Sequence, residues 1–367
     1  MKEVLRVLMF LPLLLVLALP ASASSVEEIV EQQEQAADVD ELERSAKKHG
    51  GIVDYGVSLE DGLAELLDTG SAEIRSVIKR AVRSGVLLLL ILILCSLGET
   101  MQDSFGKSKV PVVPLAGALA VTAVAAADVD SLLGLGSGAI DHMASFANVL
   151  LPTVAAVTAA TGAITGAAVR QMAAVLFCDL LVNLIDRLLI PAMYGYIALS
   201  VAHAALGNDG LKRMAGMLKW VTTTVLTVVM LAFVSYLTLS GVVAGGADAA
   251  TIKATKFAIS SAIPVVGGIL SDAAETILAS AGILKGTVGV FGTLTILGIC
   301  LVPLLRMAVH YLVYKLVSAL SSTMGASKVC ALVDQIGGAF GLLMGMTGAC
   351  CLLLLIALVS SVSVVSV

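Results

Sequence analysis

Long apolar segments alternate with short polar ones along most of the chain. Ten apolar segments follow one another, at residues 84–98, 111–127, 149–168, 172–186, 188–206, 220–241, 257–281, 286–305, 307–320 and 338–360. A helix needs about 20 apolar residues to cross a bilayer, so the shorter segments favour re-entrant or interfacial positions. We therefore expect a bundle of about six to nine transmembrane helices, with some segments broken or re-entrant.

The start of the chain has the pattern of a secretory signal peptide. Lys2 and Arg6 precede an apolar run at residues 7–19, and Ala21 and Ala23 then form an A-x-A cleavage site. The run is short for a membrane span. We expect cleavage after Ala23, and the alternative is an uncleaved anchor helix.

Residues 24–83 form the polar part of the chain, with fourteen acidic and seven basic residues. Amphipathic patterning predicts a helix at residues 26–48. A second helix begins at Ser58, where Asp61 resembles the partner residue of a capping box, and a third begins near Ser71 and enters the membrane. This predicts a small exported helical domain rather than a catalytic one.

The composition excludes a soluble domain. Of the 367 residues, 58% are hydrophobic and only 13% are charged, and a soluble fold of this size could not bury so much apolar surface. We expect an all-α, polytopic membrane protein. Aromatic residues make up only 4% and glycines number 34, so the helices are expected to approach one another closely through small side chains.

Two pairs of prolines suggest an internal repeat. The distance from Pro152 to Pro191 is 39 residues, the same as from Pro264 to Pro303. Proline is common in membrane helices and the two copies share few identical residues, so coincidence is the alternative. The predicted organisation is a signal peptide at 1–23, an exported domain at 24–83, two transmembrane segments with an outside loop at 84–148, a first copy at 149–241, and a broken segment with a second copy at 242–367.

Loop charges indicate the orientation in the membrane. With the mature N-terminus outside, the basic loops fall in the cytoplasm, while Asp128, Asp130 and Asp141 fall in an outside loop without basic residues. This agrees with the excess of positive charge expected on the cytoplasmic side. Arg306 is among the basic residues that fit this orientation less well.

The sharpest local pattern is a broken apolar segment. Pro264 removes a backbone donor, and Gly267 and Gly268 permit bends. Asp272 and Glu275 follow one turn apart. Interrupted apolar segments line a cavity or pack inside protein, because unpaired backbone groups cannot face lipid. One interpretation is a pore-lining or partner-docking element; the other is a structural hairpin whose acids pair with nearby lysines.

Three charged residues lie inside the apolar run at residues 172–206: Asp179, Asp186 and Arg187. Charges at membrane depth are costly unless they are paired or face water, so they are candidate pore or ion-site residues. Asp186 and Arg187 are adjacent and fit a helix end at the interface. Asp179 lies deeper and is the better candidate for a proton or ion site.

Glycines at four-residue spacing line one face of the last apolar segment. Gly337, Gly341 and Gly345 form this face, and Gly162 and Gly166 form a shorter one. Such faces let helix backbones approach closely. They are candidate helix-packing residues, either for self-association into a homo-oligomer or for contact with the chain's own helices.

Histidines and cysteines show no metal or disulfide pattern. The four histidines are far apart in sequence, and the six cysteines lie in or beside apolar segments without a CxxC spacing. The sequence also has no Walker loop and no GxSxG elbow. We expect no metal, no cofactor and no enzymatic activity. The acidic N-terminal domain argues against nucleic-acid binding.

The apolar body resembles a known family. The segments TKFAISSAIPVVGGILSDAAET at residues 255–276 and GTVGVFGTLTILGICLVPLLRMAVHYLVYKLVSAL at residues 286–320 carry the resemblance most clearly. Together with the signal peptide and the multi-span body, they resemble the stage III sporulation protein AE family of endospore-forming bacteria. The resemblance covers nearly the whole chain after residue 24 and is strongest at residues 220–320.

This resemblance implies a membrane subunit of the secretion-like channel complex that joins the mother cell to the forespore after engulfment. It implies a location in the mother-cell outer forespore membrane. Implied partners are other membrane proteins of the stage III A operon, the forespore-side channel protein and membrane lipid. It supplies no catalytic residues. The competing hypothesis is a self-contained secondary transporter with an intramembrane acidic site, which would show solute- or proton-dependent activity in isolation.

Overall fold

All the regular elements in the described part of the chain are helices. The computed structural model describes residues 34–35, 38–105, 112–160, 164–262, 267–323 and 327–362, and gives only the backbone for 102–105, 164–171, 238–262, 267–281 and 327. The α-helices are α1 (Val39–Lys48), α2 (Leu59–Phe105), α3 (Val112–Ala160), α4 (Ile164–Leu184), α5 (Ile190–Leu206), α6 (Asp209–Ala262), α7 (Gly267–Ser322) and α8 (Ser327–Val362). A π-helical turn at Ile185–Leu189 joins α4 to α5.

This architecture confirms the expected all-α membrane protein. Within the described residues, five helical stretches are long and apolar enough to cross a membrane: Leu59–Met101, Val112–Ala160, Asp209–Leu237, Gly282–Ser322 and Lys328–Val362. The count of about six to nine crossings stays a prediction. So does the signal peptide, because Ala21 and Ala23 lie outside the described residues.

Ser58 caps the start of α2 as the sequence predicts, although Asp61 pairs with the Ser58 hydroxyl and not with the Ser58 backbone N–H of a full capping box. The Ser58 hydroxyl oxygen accepts a hydrogen bond of 3.2 Å from the Asp61 backbone N–H. The same hydroxyl donates one of 2.7 Å to the Asp61 carboxylate, and the acidic first turn complements the positive end of the helix. The sequence predicts a separate helix from Ser71, but the structure continues α2 without a break from the polar region into the apolar run.

The acidic stretch that the sequence places in an outside loop is helical. Helix α3 runs on through Asp128, Asp130 and Asp141. Asp128 is buried, whereas Asp130 and Asp141 are exposed. A short run of acids among small apolar residues has the composition of a loop, yet the burial of Asp128 shows that packing against other helices decides the local structure here.

Helices α7 and α8 form the centre of the bundle. In their most apolar windows 61% and 56% of the residues are buried, against 17% for the window in α6. Helices α2 and α3 both pack against α7. The contact of α2 is close: a Cβ atom added at Gly62 would clash with Leu294, and one at Gly85 would clash with Val313. All six cysteines are buried and free, as expected of small core residues.

Candidate functional site

A row of polar side chains lies on the outer surface of α4 and the π turn. Asp179, Asn183, Asp186 and Arg187 are all exposed, and we call these four residues the polar stripe. Their neighbours on the same surface are large and apolar: Leu176, Leu180 and Leu188 are 62%, 46% and 44% exposed. The polar stripe therefore interrupts an apolar surface.

The π turn is a consequence of Pro191. Proline has no backbone N–H, and its ring crowds the carbonyl group four residues earlier, here that of Arg187. Widening the helix over Ile185–Leu189 relieves this conflict, and the residues on both sides keep right-handed helical angles. The sequence interpretation of Asp186 and Arg187 as a helix end is therefore wrong, because the helix continues past both residues.

Few of the polar groups in this stripe have a partner. The Asn183 amide donates a hydrogen bond of 2.9 Å to the Asp179 backbone carbonyl. Among the residues that the structure describes, no salt bridge involves Asp179, Asp186 or Arg187. Exposed charges are costly in contact with lipid, so the stripe favours contact with water or with a polar protein surface.

A second polar cluster is buried between α3, α7 and α8. The Tyr314 hydroxyl donates a hydrogen bond of 2.8 Å to Oδ2 of Asp128. His310, one helical turn before Tyr314, places Nε2 4.0 Å from Oδ1 of the same carboxylate. Phe340 of α8 meets both rings edge to face, with centroids 6.2 Å from His310 and 5.0 Å from Tyr314. These contacts hold the two aromatic side chains in place.

The hydrogen bonds of His310 define how protons are placed in this cluster. Its Nδ1 lies 2.8 Å from the Arg306 carbonyl oxygen, which can only accept, so Nδ1 carries a proton. Nε2 faces the Asp128 carboxyl group. At 4.0 Å this is a close approach rather than a hydrogen bond. The cluster thus places an imidazole nitrogen beside a buried carboxyl group.

The cluster continues along α7 to an ion pair with α2. Arg306 lies one turn before His310, and its guanidinium group contacts the Glu73 carboxylate. The two side chains are 29% and 32% exposed. Arg306, which fits the expected distribution of loop charges poorly, thus has an acidic partner. Arg306, His310 and Tyr314 form one polar face on α7 that α2 and α3 cover.

Comparison with known proteins identifies the family. The model of the Stage III sporulation protein AE family matches residues 52–364. The chain belongs to this family. The stage III sporulation protein AE of Bacillus subtilis (strain 168) is 25% identical over 250 residues, which cover 68% of this chain and 63% of that protein. The alignment thus spans less than two thirds of the relative's length. No solved structure matches the chain.

The sequence-based resemblance to the stage III sporulation protein AE family is therefore confirmed, and the match extends over almost all the described residues. It begins at residue 52, so α1 precedes it. Together with the five candidate spans, family membership makes the chain a multi-pass membrane protein of a sporulation family.

The glycine face of α8 packs mainly on the chain's own α7. A Cβ atom added at Gly337 would lie 3.0 Å from Cβ of Tyr314, and one at Gly341 would lie 3.1 Å from the Tyr311 ring. At Gly345 the nearest atom belongs to Leu226 of α6, at an ordinary 3.8 Å. The structure thus places this face inside the bundle. Gly162 lies outside the described residues, and the contacts of Gly166 in α4 are not among those described.

The broken segment falls between two helices. Helix α6 ends at Ala262 and α7 begins at Gly267, while Pro264 lies outside the described residues. Gly267, Gly268, Asp272 and Glu275 lie in the first turns of α7, for which the structure describes the backbone alone. Their proposed roles as pore or ion-site residues stay predictions.

Sequence reasoning missed the buried cluster. The sequence pattern predicts an outside loop around Asp128, and the spacing of the histidines indicates no metal site. A usable signal was present: Arg306, His310 and Tyr314 recur every four residues in an apolar run, which places them on one helix face. The periodicity does not reveal that Asp128 contacts this face, because Asp128 lies 186 residues from Tyr314 in the sequence.

Proposed function

We propose that the chain is a non-enzymatic membrane subunit of the channel complex between mother cell and forespore, required for endospore development after engulfment. The subunit lies in the mother-cell outer forespore membrane with its N-terminal domain on the exported side. Its partners are other membrane proteins of the stage III A operon and the forespore-side channel protein, and it has no nucleic-acid partner.

The exposed polar stripe is the observation that carries this proposal. A self-contained transporter is expected to enclose its intramembrane acids within its own bundle, where they line the transport path. Here Asp179, Asp186 and Arg187 lie on the outside. A neighbouring subunit, or a water-filled channel enclosed by several subunits, would cover these charges. Membership in a sporulation membrane family supports the same conclusion.

Native mass spectrometry tests the proposal directly. The tagged protein would be extracted in mild detergent from sporulating cells, together with the proteins that remain bound to it. We expect a large complex containing other sporulation membrane proteins. A lone monomer or dimer, obtained under conditions that preserve other membrane complexes from the same cells, would contradict the subunit role.

The buried cluster supports a second candidate, a secondary transporter coupled to protons. Asp128 and His310 face each other at 4.0 Å inside the bundle, and intramembrane acids paired with histidine occur in proton relays. A cleft of about 230 Å³ opens beside the same part of α3, with Thr122 and Asp130 among its mainly apolar lining. Proton-dependent solute uptake by the purified protein in vesicles would favour this candidate over the channel subunit.

A further inference from the structure

Two histidines meet where the end of α1 contacts α3. The Nδ1 atoms of His49 and His142 lie 3.2 Å apart, and the ring centroids lie 5.4 Å apart. His142 is exposed and His49 is half-buried. The two residues are 93 positions apart in sequence, so only the fold brings them together.

The backbone around His49 is fixed by local hydrogen bonds. Its N–H donates to the carbonyl groups of Ser45 and Ala46, at 3.1 and 3.2 Å, and Gly51 closes the turn with a bond of 2.8 Å to Ala46. A side chain on Gly51 would not fit, because its Cβ atom would lie 2.9 Å from the Ala46 carbonyl oxygen. Gly50 has φ +93°, which favours glycine.

Helix α1 itself is anchored in the main core. Its apolar face is buried through three residues, Val39, Leu42 and Ala46. His142 belongs to α3, whose neighbouring residues Ile140 and Met143 are completely buried. His49 therefore follows an anchored helix and His142 lies within one. Little side-chain ordering would be needed for the two imidazole rings to act together.

We propose that His49 and His142 form a binding site for a borderline transition-metal cation such as Zn²⁺, with the two Nδ1 atoms as ligands. Zn–N bonds of about 2.05 Å to nitrogens 3.2 Å apart would enclose an N–Zn–N angle of about 103°, close to tetrahedral. Imidazole nitrogen suits Zn²⁺, Cu²⁺ and Ni²⁺, whereas Mg²⁺ and Ca²⁺ prefer oxygen ligands.

The ring nitrogens of the pair suit metal binding, because a neutral imidazole always has one nitrogen with a lone pair. Burial, followed by repulsion from His142 and Lys48, lowers the pKa of His49 below its usual value. The ring is therefore uncharged at neutral pH, which is the form that binds metals. Without metal, one ring donates its Nδ1 proton to the other. In the metal-bound state both protons lie on Nε2, so that both Nδ1 lone pairs reach the cation.

The site is open rather than closed. Within the described ranges, no group of three or more histidine, cysteine, aspartate or glutamate side chains forms a metal site. On a tetrahedral cation the described residues would thus leave two coordination positions for other ligands, such as water or a side chain of a partner protein. Such a site would bind less tightly than a four-ligand structural zinc site, and the bound cation would link α1 to α3.

The composition of the chain allows a clean test. The other two histidines, His203 and His310, are buried, as are all six cysteines. The full-length protein would be purified in mild detergent with a histidine-free tag and titrated with Zn²⁺ by calorimetry and by thermal unfolding. We expect one saturable site per chain, a Tm that rises with Zn²⁺, and no response to Mg²⁺.

Substitutions identify the ligands. His49→Gln and His142→Gln should each abolish saturable binding, whereas Asp141→Asn, next to His142, should leave it unchanged. Cu²⁺-loaded wild-type protein provides a second measurement that needs no variant: its paramagnetic resonance spectrum should show coupling to two nitrogens. Three results would overturn the site. They are unchanged Zn²⁺ uptake when His49→Gln and His142→Gln are combined in one chain, no saturable Zn²⁺ binding by wild-type protein, and a copper spectrum with oxygen ligands alone.

Discussion

The Tyr314 hydroxyl donates a hydrogen bond of 2.8 Å to Asp128 and so connects α7 to α3 in the interior of the bundle. Tyr314 is completely buried and Asp128 is 9% exposed, so water cannot readily replace this bond. His310 Nε2 lies 4.0 Å from the same carboxyl group. The Tyr314 hydroxyl is therefore a main source of stabilisation for a buried acid.

Tyr314→Phe should destabilise the protein. The substitution keeps the edge-to-face contact with Phe340 but removes the donor to Asp128. Leaving a buried acceptor unsatisfied costs about 1–3 kcal/mol in the free energy of unfolding. Thermal unfolding in detergent measures the change, and Tyr311→Phe on the same helix serves as the control. Equal stabilities of the two variants would show that the hydrogen bond contributes little.

Asp128→Asn separates a structural role of the cluster from a proton-transfer role. The amide oxygen still accepts the Tyr314 hydrogen bond, but an amide side chain cannot bind or release a proton as a carboxyl group does. For a channel subunit we expect normal accumulation in the membrane and normal spore yield, as for Asp141→Asn, which changes an exposed acid on the same helix. A sharp loss of spores with normal accumulation, confined to Asp128→Asn, would instead support proton-coupled transport.

The outer polar stripe leads to a prediction about assembly. Asp179→Leu removes from the outer surface of α4 a charge that a partner would recognise, and leaves Asn183 in place. We expect the protein to accumulate in the membrane but to lose copurifying sporulation proteins, because the partner loses a charged group that it would otherwise cover. The control is Leu231→Ala, which changes an exposed apolar residue on α6. Unchanged complex composition for Asp179→Leu would remove this residue from the interface.

These sites differ in how far the sequence predicts them. The helix cap at Ser58 was predictable because both partners lie within one helical turn. The helical state of Asp128 was not, because the decisive contact comes from Tyr314, far along the chain. Local composition favoured a loop, and tertiary packing overrode it. The same limit applies to His49 and His142, whose separation in sequence hides their proximity.

The π turn shows a different limit. Pro191 and the adjacent charges Asp186 and Arg187 have the composition of a helix end, and proline usually ends or bends a helix. The chain instead absorbs the missing hydrogen bond by widening the helix over five residues. Sequence rules identify the position of such a conflict, whereas the surrounding packing determines whether the helix ends or continues.

The glycine face of α8 gives a graded stability prediction. At Gly337 an added methyl group would press on the backbone-proximal Cβ of Tyr314, which cannot move away, so Gly337→Ala should cost about 1–3 kcal/mol by overpacking. At Gly345 there is space, and Gly345→Ala should be neutral or stabilise the helix by up to about 1 kcal/mol.

Thermal unfolding and assembly size together test this reading of the glycine face. If the face served self-association, Gly341→Leu and Gly345→Leu in one chain would dissolve the oligomer without a change in protomer stability. Because Gly341 faces Tyr311 of the same chain, we expect this double variant to lower the stability of the protomer itself. A stable protomer with a dissociated oligomer would contradict packing within the chain.

The contact between α1 and α3 should weaken in acid. The pKa of His49 is lowered in the folded protein, chiefly by burial and further by His142 and Lys48, so the folded state binds fewer protons than the unfolded state. The contribution of His49 to the stability of the folded protein is therefore fully present above the ordinary histidine pKa of about 6.5. It declines as the pH falls below that value. With a chelator present, wild-type protein should lose more Tm between about pH 7.5 and about pH 5.5 than His49→Gln, which carries no titrating ring at this position. Equal losses would show that protonation of His49 does not oppose folding.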